Sequence, residues 1–337
     1  MKAIAYRHPG PIDRPGAFVE IDLPEPTPGP HDLLVSVEAV SVNPVDTKIR
    51  QSAAAPEGGR VLGWDAAGTV IGFGSAVTGF AVGDQVYYAG SIDRPGTNAQ
   101  RHVVDARIAA RRPNTLSAAE AAALPLTALT AYEMLFDRLN VERAVPGSDA
   151  ILIIGGAGGV GSMAIQLARA LTGLTVIATG SRPETAGWVR QLGAHHVLDH
   201  SRSMAAQLAE LGVGAPGFVF STTASDRHLA DIAEIIAPQG RFGLIDDPSQ
   251  LDIMAFKRKA VSVHWELMFT RPLFGTVDIA RQGEILARVA GLVDEGRVRS
   301  TATEILRPLS VENLRQAHAL VESGRMRGKV VLEGFAP

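Results

Sequence analysis

The 337-residue chain contains no cysteine. That absence excludes disulfides, thiol nucleophiles, iron–sulfur clusters and every cysteine-based zinc site. It also lacks a strong charge bias: 32 basic residues face 35 acidic ones, and no block of like charge stands out. Nucleic acid and an anionic membrane are therefore not expected as partners. The opening Met1-Lys2-Ala3-Ile4-Ala5-Tyr6-Arg7-His8 has no long apolar run of the kind a signal peptide needs. Residues 150–168 carry no charge over a length that suits a membrane span. Gly155, Gly156, Gly158, Gly159 and Gly161 interrupt that run, so a strand, a tight turn and a helix start explain it better. The expectation is a cytoplasmic protein, long enough to divide into two domains.

What is present changes character along the chain. The first third reads as β-structure. Leu33–Val40 is strand-like, and Gly68–Gly72 and Gln85–Tyr88 are short runs bounded by turn residues. Closely spaced strands separated by Gly- and Pro-containing loops suggest a small barrel. Ser117-Ala118-Ala119-Glu120 then fits a capping box before an alanine-rich helix. Pro125 interrupts that helix, and Ala128–Leu139 resumes the pattern. Beyond it, apolar strand-like segments at Ala150–Ile154, Leu174–Thr179, His196–Asp199, Phe218–Ser221, Phe242–Ile245 and Val261–Trp265 alternate with helix-like ones. Alternation of that kind predicts an α/β fold with a parallel, doubly wound sheet. A last strand, Gly328–Glu333, is expected to return to the first domain.

Gly156-Ala157-Gly158-Gly159-Val160-Gly161 matches G-x-G-x-x-G. The motif alone is weak, but here it follows the strand Ile151–Ile154 and opens an apolar-faced helix. In that setting the first glycine permits the turn, the second lets the backbone approach a pyrophosphate, and the third lets helix and strand pack closely. The helix N-terminus adds free N–H groups and a partial positive charge. The next strand ends in Gly180-Ser181-Arg182, without the acidic residue that an NAD site usually places at the ribose. Arg182 can pair with a 2′-phosphate and Ser181 can donate to it, which favours NADP(H). The alternative reading of Arg182 is a solvated loop charge.

These motifs resemble the medium-chain dehydrogenase/reductase superfamily, in its zinc-free quinone oxidoreductase branch, whose members are often named alcohol dehydrogenase-like. The resemblance runs through Ser41–Asp46, Gly63–Gly68, Val77–Asp84, Leu126–Tyr132, the glycine loop and Gly328–Leu332. It implies a GroES-like β-barrel domain over 1–122 and 299–337 and a Rossmann domain over 123–298. It also implies that Thr127, Thr130, Ile245, Asp246, Met268 and Phe269 approach the nicotinamide half of the cofactor. His200 stands where relatives carry a tyrosine beside the adenosine phosphate, and Lys329 is the best of three basic residues, with Arg325 and Arg327, for the pyrophosphate. Zinc-dependent members carry Cys near Asn43 and Gly-His-Glu where this chain has Gly63-Trp64-Asp65, so no metal site is expected.

The resulting expectation is an NADPH-dependent oxidoreductase that passes a hydride to a quinone or an α,β-unsaturated carbonyl. Without metal or thiol, charge on the carbonyl oxygen needs preorganised hydrogen-bond donors. Asn43 is the first candidate, although Asn also suits the turn before Pro44. Lys48 is the second, against a simple exposed charge, and Trp64 is either a pocket wall or a core residue. Thr127 and Thr130 also suit ordinary helix capping. The rival reading is an NADPH-binding structural or sensor protein with little turnover. Val261–Trp265, as a sheet edge, leads to the expectation of a homodimer.

Overall fold

Period-two alternation shapes the first part of the chain. The computed structural model describes residues 1–335. It shows β1 (Lys2–Tyr6), β2 (Val19–Asp22), β3 (Asp32–Ser41), β4 (Arg60–Val61), β5 (Asp65–Phe73), β6 (Gln85–Tyr88), β7 (Arg101–Asp105) and β8 (Ala109–Arg111). In β3 the side chains of Leu33, Val35 and Val37 are buried while Asp32, Leu34, Ser36 and Glu38 are half-buried, as one covered face requires, and from Ala39 to Ser41 the strand is buried throughout. Loops are not the only links here. A helix, α1 (Pro44–Ser52), stands between β3 and β4. Pro44 opens it, and the Asp46 carboxylate accepts from the Asn43 N–H at 2.6 Å. Next come α2 (Ala118–Ala122) and α3 (Pro125–Tyr132), the latter running into a π-helical turn, Glu133–Arg138. The capping box at Ser117 forms, with Glu120 accepting from the Ser117 N–H at 2.9 Å.

Strand and helix then alternate: β9 (Ala150–Ile154), α4 (Gly159–Leu171), β10 (Thr175–Thr179), α5 (Pro183–Gln191), β11 (His196–Leu198), α6 (Met204–Leu211), β12 (Phe218–Ser221), α7 (Ser225–Ile235), β13 (Arg241–Leu244) and β14 (Ser262–Trp265). The six strands form one parallel sheet in the order β11-β10-β9-β12-β13-β14. Counted from β9, that is the 3-2-1-4-5-6 order of a dinucleotide-binding Rossmann sheet. All five residues of β9 are buried, which suits a central parallel strand covered on both faces. Leu152, Ile154, Ile177, Val219, Ile232, Phe242 and Leu244 share one core beneath the helices. After α8 (Thr270–Phe274), α9 (Arg281–Asp294), β15 (Ala302–Leu306) and α10 (Val311–Glu322), the chain closes on β16 (Lys329–Glu333).

The strand β16 pairs antiparallel with β3, placing the last strand in the sheet of the first part, β15-β16-β3-β5-β6-β8. The described residues form two compact units, 1–129 with 269–335, and 130–268. Within the first unit α9 packs on β8. No helix among the described residues is long and apolar enough to cross a membrane; the uncharged run 150–168 is β9, the loop and α4.

Candidate functional site

The glycine loop lies where β9 feeds α4, at the carboxyl end of the parallel sheet. A Cβ on Gly161 would stand 2.3 Å from the Gly155 carbonyl oxygen and 2.7 Å from Gly156 Cα, so no side chain fits. A Cβ on Gly156 would meet Ala178 Cβ at 2.9 Å. Gly158 is different: its Cβ would have only the Gly155 oxygen near it, at an ordinary 3.5 Å. Internal packing therefore does not require glycine at 158. Gly158, Gly159 and Val160 are partly exposed, and the first turn of any helix leaves N–H groups without intrahelical partners. This cradle fits a dinucleotide pyrophosphate.

At the exit of β10, Ser181 and Arg182 are exposed. Arg182 is fixed through its backbone: its N–H donates to Thr185 Oγ1 at 3.1 Å, and Thr185 Oγ1 donates to its carbonyl at 2.9 Å. The Gly180 N–H donates to the Leu198 carbonyl, so the exits of β10 and β11 run side by side and bring His200 to the same end. His200 lies edge-on to His228, ring centres 5.8 Å apart. Its Nδ1 is buried and has no hydrogen-bond partner among the described residues.

Past β13, Ile245 is half-buried, and Asp246 is engaged. Its carboxylate accepts from the Ser225 N–H at 2.8 Å and lies 2.5 Å from Ser225 Oγ, capping α7. Met268 and Phe269 are both buried. The Thr127 hydroxyl, in the first turn of α3, donates back to the Leu124 carbonyl at 3.0 Å, and Thr130 is buried further along the helix.

In the first unit the structure draws Asn43, Asp46, Asp65 and Lys329 into one buried polar hub. Asn43 Nδ2 donates to Asp65 Oδ2 at 2.7 Å, and Lys329 Nζ donates to Asn43 Oδ1 at 2.6 Å and to the Val42 carbonyl at 2.8 Å. Lys329 Nζ also stands 3.4 Å from Asp65 Oδ2. Asp65 Oδ1 accepts from the Leu126 N–H at 2.7 Å, and Asp46 Oδ1 from the Gly63 N–H at 3.0 Å. One lysine thus ties β16 to the starts of α1, β5 and α3. Burial pulls the Lys329 ammonium below the usual lysine range, against Asp65 and Asp46, which raise it. Burial pushes the Asp65 carboxyl up and raises Asp46 to about 7.

This geometry places two of the residues expected at the site, Lys329 and Asn43, inside the hub. The three donors of Lys329 are all engaged inside the first unit, which leaves none for a pyrophosphate. The Asn43 amide is engaged at both its oxygen and its nitrogen, which makes it a positioning residue of this hub. Lys48 is exposed on α1. Trp64 is wholly buried, edge-to-face with Phe269 at 5.7 Å, and its Nε1 has no hydrogen-bond partner among the described residues. Arg325 and Arg327 are exposed. The reading from sequence missed Asp46 and Asp65 as a pair of site carboxylates. The signal was present: Asp65 is a charge inside the apolar run Trp64–Val70.

Zinc does not fit here. Catalytic zinc needs three protein donors. Trp64 offers no lone pair to a metal, and Asn43 Oδ1 and Asp65 Oδ2 both face the Lys329 ammonium, a cation already in place. The sequence has no cysteine to complete a set.

The profile of the alcohol dehydrogenase GroES-like domain matches residues 29–114, and that of the zinc-binding dehydrogenase family matches residues 192–332. A zinc-type alcohol dehydrogenase-like protein of Staphylococcus aureus (strain MSSA476) is 40% identical over 335 residues, 98% of this chain and 99% of that one. A 2-methylene-furan-3-one reductase of Solanum lycopersicum is 30% identical, covering 98% of this chain and 79% of its own. The crystal structure of a zinc-dependent alcohol dehydrogenase candidate from Rhizobium etli CFN 42 superimposes with a TM-score of 0.99 at 62% identity, over 100% of this chain and 99% of that one. The fold is thus a GroES-like domain joined to a Rossmann domain, the architecture of a nicotinamide-dependent oxidoreductase. The chain belongs to the medium-chain dehydrogenase/reductase superfamily, in its quinone oxidoreductase branch.

Proposed function

We propose that this protein is a zinc-independent reductase that transfers a hydride from NADPH to a quinone or an α,β-unsaturated carbonyl. The observation that carries the reading is the donor set around Asn43, where a lysine–carboxylate hub occupies the groups a metal would need. The named activity of the tomato relative, reduction of a conjugated furanone, supports the substrate class. Gly158, Gly159, Val160 and Gly161 hold the pyrophosphate, and Ser181, Arg182 and His200 face the adenosine end. Ile245, Asp246 and Met268 wall the nicotinamide end. With Asn43 engaged in the hub, Lys48 is the donor that this proposal retains for the substrate oxygen. The test is NADPH oxidation against a panel of quinones, enones and enals. Turnover with at least one class supports the reading; tight NADPH binding without turnover favours a cofactor-binding sensor.

A preference for NADPH over NADH follows from the β10 exit. A charge-assisted bond from Arg182 to a 2′-phosphate contributes about 1.5–3 kcal/mol, or about one to two decades of affinity. Arg182→Ala is expected to weaken NADPH by that factor and to leave NADH within about threefold, read by quenching of tryptophan fluorescence. Equal losses for both cofactors would show that Arg182 does not contact the phosphate.

A homodimer through β14 is the proposed assembly. That strand ends the sheet and carries Trp265, 55% exposed. An unpaired apolar edge invites pairing across a two-fold axis. Light scattering at micromolar concentration should give twice the mass of one chain, and Ser262→Pro in the edge should reduce it towards one. A monomer mass for the unaltered protein would contradict the assembly.

A further inference from the structure

The two candidate anion sites of the second unit stand on different helices. The glycine loop opens α4, and Arg182 is the N-cap residue of α5. A side-chain hydrogen bond joins these helices. Trp188 Nε1–H of α5 donates to Ser162 Oγ of α4 at 2.9 Å. Ser162 lies in the first turn of α4, where its N–H donates to the Gly158 carbonyl at 2.8 Å. Its hydroxyl donates on to the Ala157 carbonyl inside the loop, over a longer 3.4 Å. Ser162 is 0% exposed, so it acts on a ligand only through the loop it supports.

The α5 end of this strut is tied to Arg182. Thr185, Trp188 and Val189 fall on one face of α5, three and four positions apart. Thr185 clamps the Arg182 backbone, accepting its N–H at 3.1 Å and donating to its carbonyl at 2.9 Å. Val189 is buried, and a Cβ on Gly156 would stand 3.2 Å from its Cγ1. One face of α5 therefore holds Arg182 at one end and rests on the glycine loop at the other. The Gly155 N–H donates to Thr179 Oγ1 at 3.0 Å, which fixes the start of the loop to the last residue of β10.

A dinucleotide with a 2′-phosphate carries that phosphate and its pyrophosphate on one ribose, at a separation set by the sugar. Once one group is bound, binding of the other is intramolecular, and its gain depends on how well the protein sites match that separation. A ligand that uses one site alone gains nothing from the match. We propose that the Trp188–Ser162 hydrogen bond sets the spacing between the pyrophosphate cradle and Arg182, which makes Trp188 and Ser162 positioning residues for the 2′-phosphorylated cofactor. This rests on the cofactor reading above. With the strut in place, binding does not have to order α5 against the loop.

The test is calorimetric titration of the whole protein with three ligands. NADPH uses both sites, NADH uses the cradle without the 2′-phosphate contact, and adenosine 2′-monophosphate uses Arg182 without the cradle. Trp188→Phe keeps an aromatic ring and removes the N–H. It should weaken NADPH by about three- to tenfold, the range of one neutral hydrogen bond. NADH and adenosine 2′-monophosphate should stay within about twofold. Ser162→Ala should do the same, and the double variant should bind NADPH no more weakly than either single one, because all three lack the same bond. Arg182→Ala differs, since it weakens adenosine 2′-monophosphate along with NADPH. Equal losses for all three ligands would assign Trp188 a structural role only and overturn the proposal. An unchanged NADPH affinity in Trp188→Phe, or losses that multiply in the double variant, would also overturn it. Ser162→Ala carries the same comparison if Trp188→Phe does not fold. An unaltered protein that binds NADH as tightly as NADPH would instead overturn the cofactor reading, and this proposal with it.

Discussion

Replacing Lys329 with methionine should lower the midpoint of thermal unfolding by about 6–20 °C. The variant leaves Asp65 and Asp46 buried without their cation, and breaking a buried ion pair from one side costs about 3–5 kcal/mol. For a domain of this size each kcal/mol is about 2–4 °C. The loss should depend on pH in a defined direction. Both carboxyls are raised by burial, and Lys329 opposes that rise. With the lysine gone, the folded state holds protons that the unfolded state releases in the ordinary carboxylate range. Stability is then retained at acid pH and lost as pH rises through the folded values, so the deficit should be larger at pH 8 than at pH 5. Pairing Lys329→Met with Asp65→Asn should recover part of the midpoint, because the amide needs no cation. Calorimetry of the three proteins checks this. An unchanged midpoint in Lys329→Met would remove the hub from the account.

The glycine loop yields the second large effect, a separation of binding from stability. Gly158→Val should reduce NADPH affinity by about a hundredfold or more, on the order of 2.7 kcal/mol. The unfolding midpoint without cofactor should stay within a few degrees. The backbone there has φ −69° and ψ 173°, which any residue adopts, and an added Cβ meets nothing closer than 3.5 Å. Gly161→Ala should reduce both quantities, because its methyl is driven to 2.3 Å from a carbonyl oxygen that cannot yield without moving the turn. Titration of NADPH fluorescence and thermal melts on both variants tell the cases apart. Normal affinity in Gly158→Val would show that the loop does not cradle a pyrophosphate.

The alternating half of the molecule was legible in sequence because its strands are buried on both faces. Ile151–Ile154 and Phe218–Ser221 read as continuous apolar runs, and the glycine spacing between the first of them and α4 marks the turn. Short edge strands such as β2, with an alternating half-buried and exposed pattern, gave no such run. Helix α1 was read as loop, since Asn43-Pro44 suits a turn as well as a helix start. The hub was the least visible feature. Its closing bond joins Asn43 to Lys329, 286 positions apart, and no local pattern encodes a contact of that separation. The family resemblance assigned Lys329 to the cofactor, but the ammonium of a wholly buried lysine must find its acceptors within the fold.

Chelation separates the proposed zinc-free reduction, with the lysine–carboxylate hub in the place of a metal, from zinc-dependent chemistry. NADPH oxidation with a conjugated enone or a quinone is followed before and after exhaustive dialysis against a strong chelator, then again after zinc is restored. The same turnover is expected in all three states. Turnover that disappears with chelation and returns with stoichiometric zinc would contradict it.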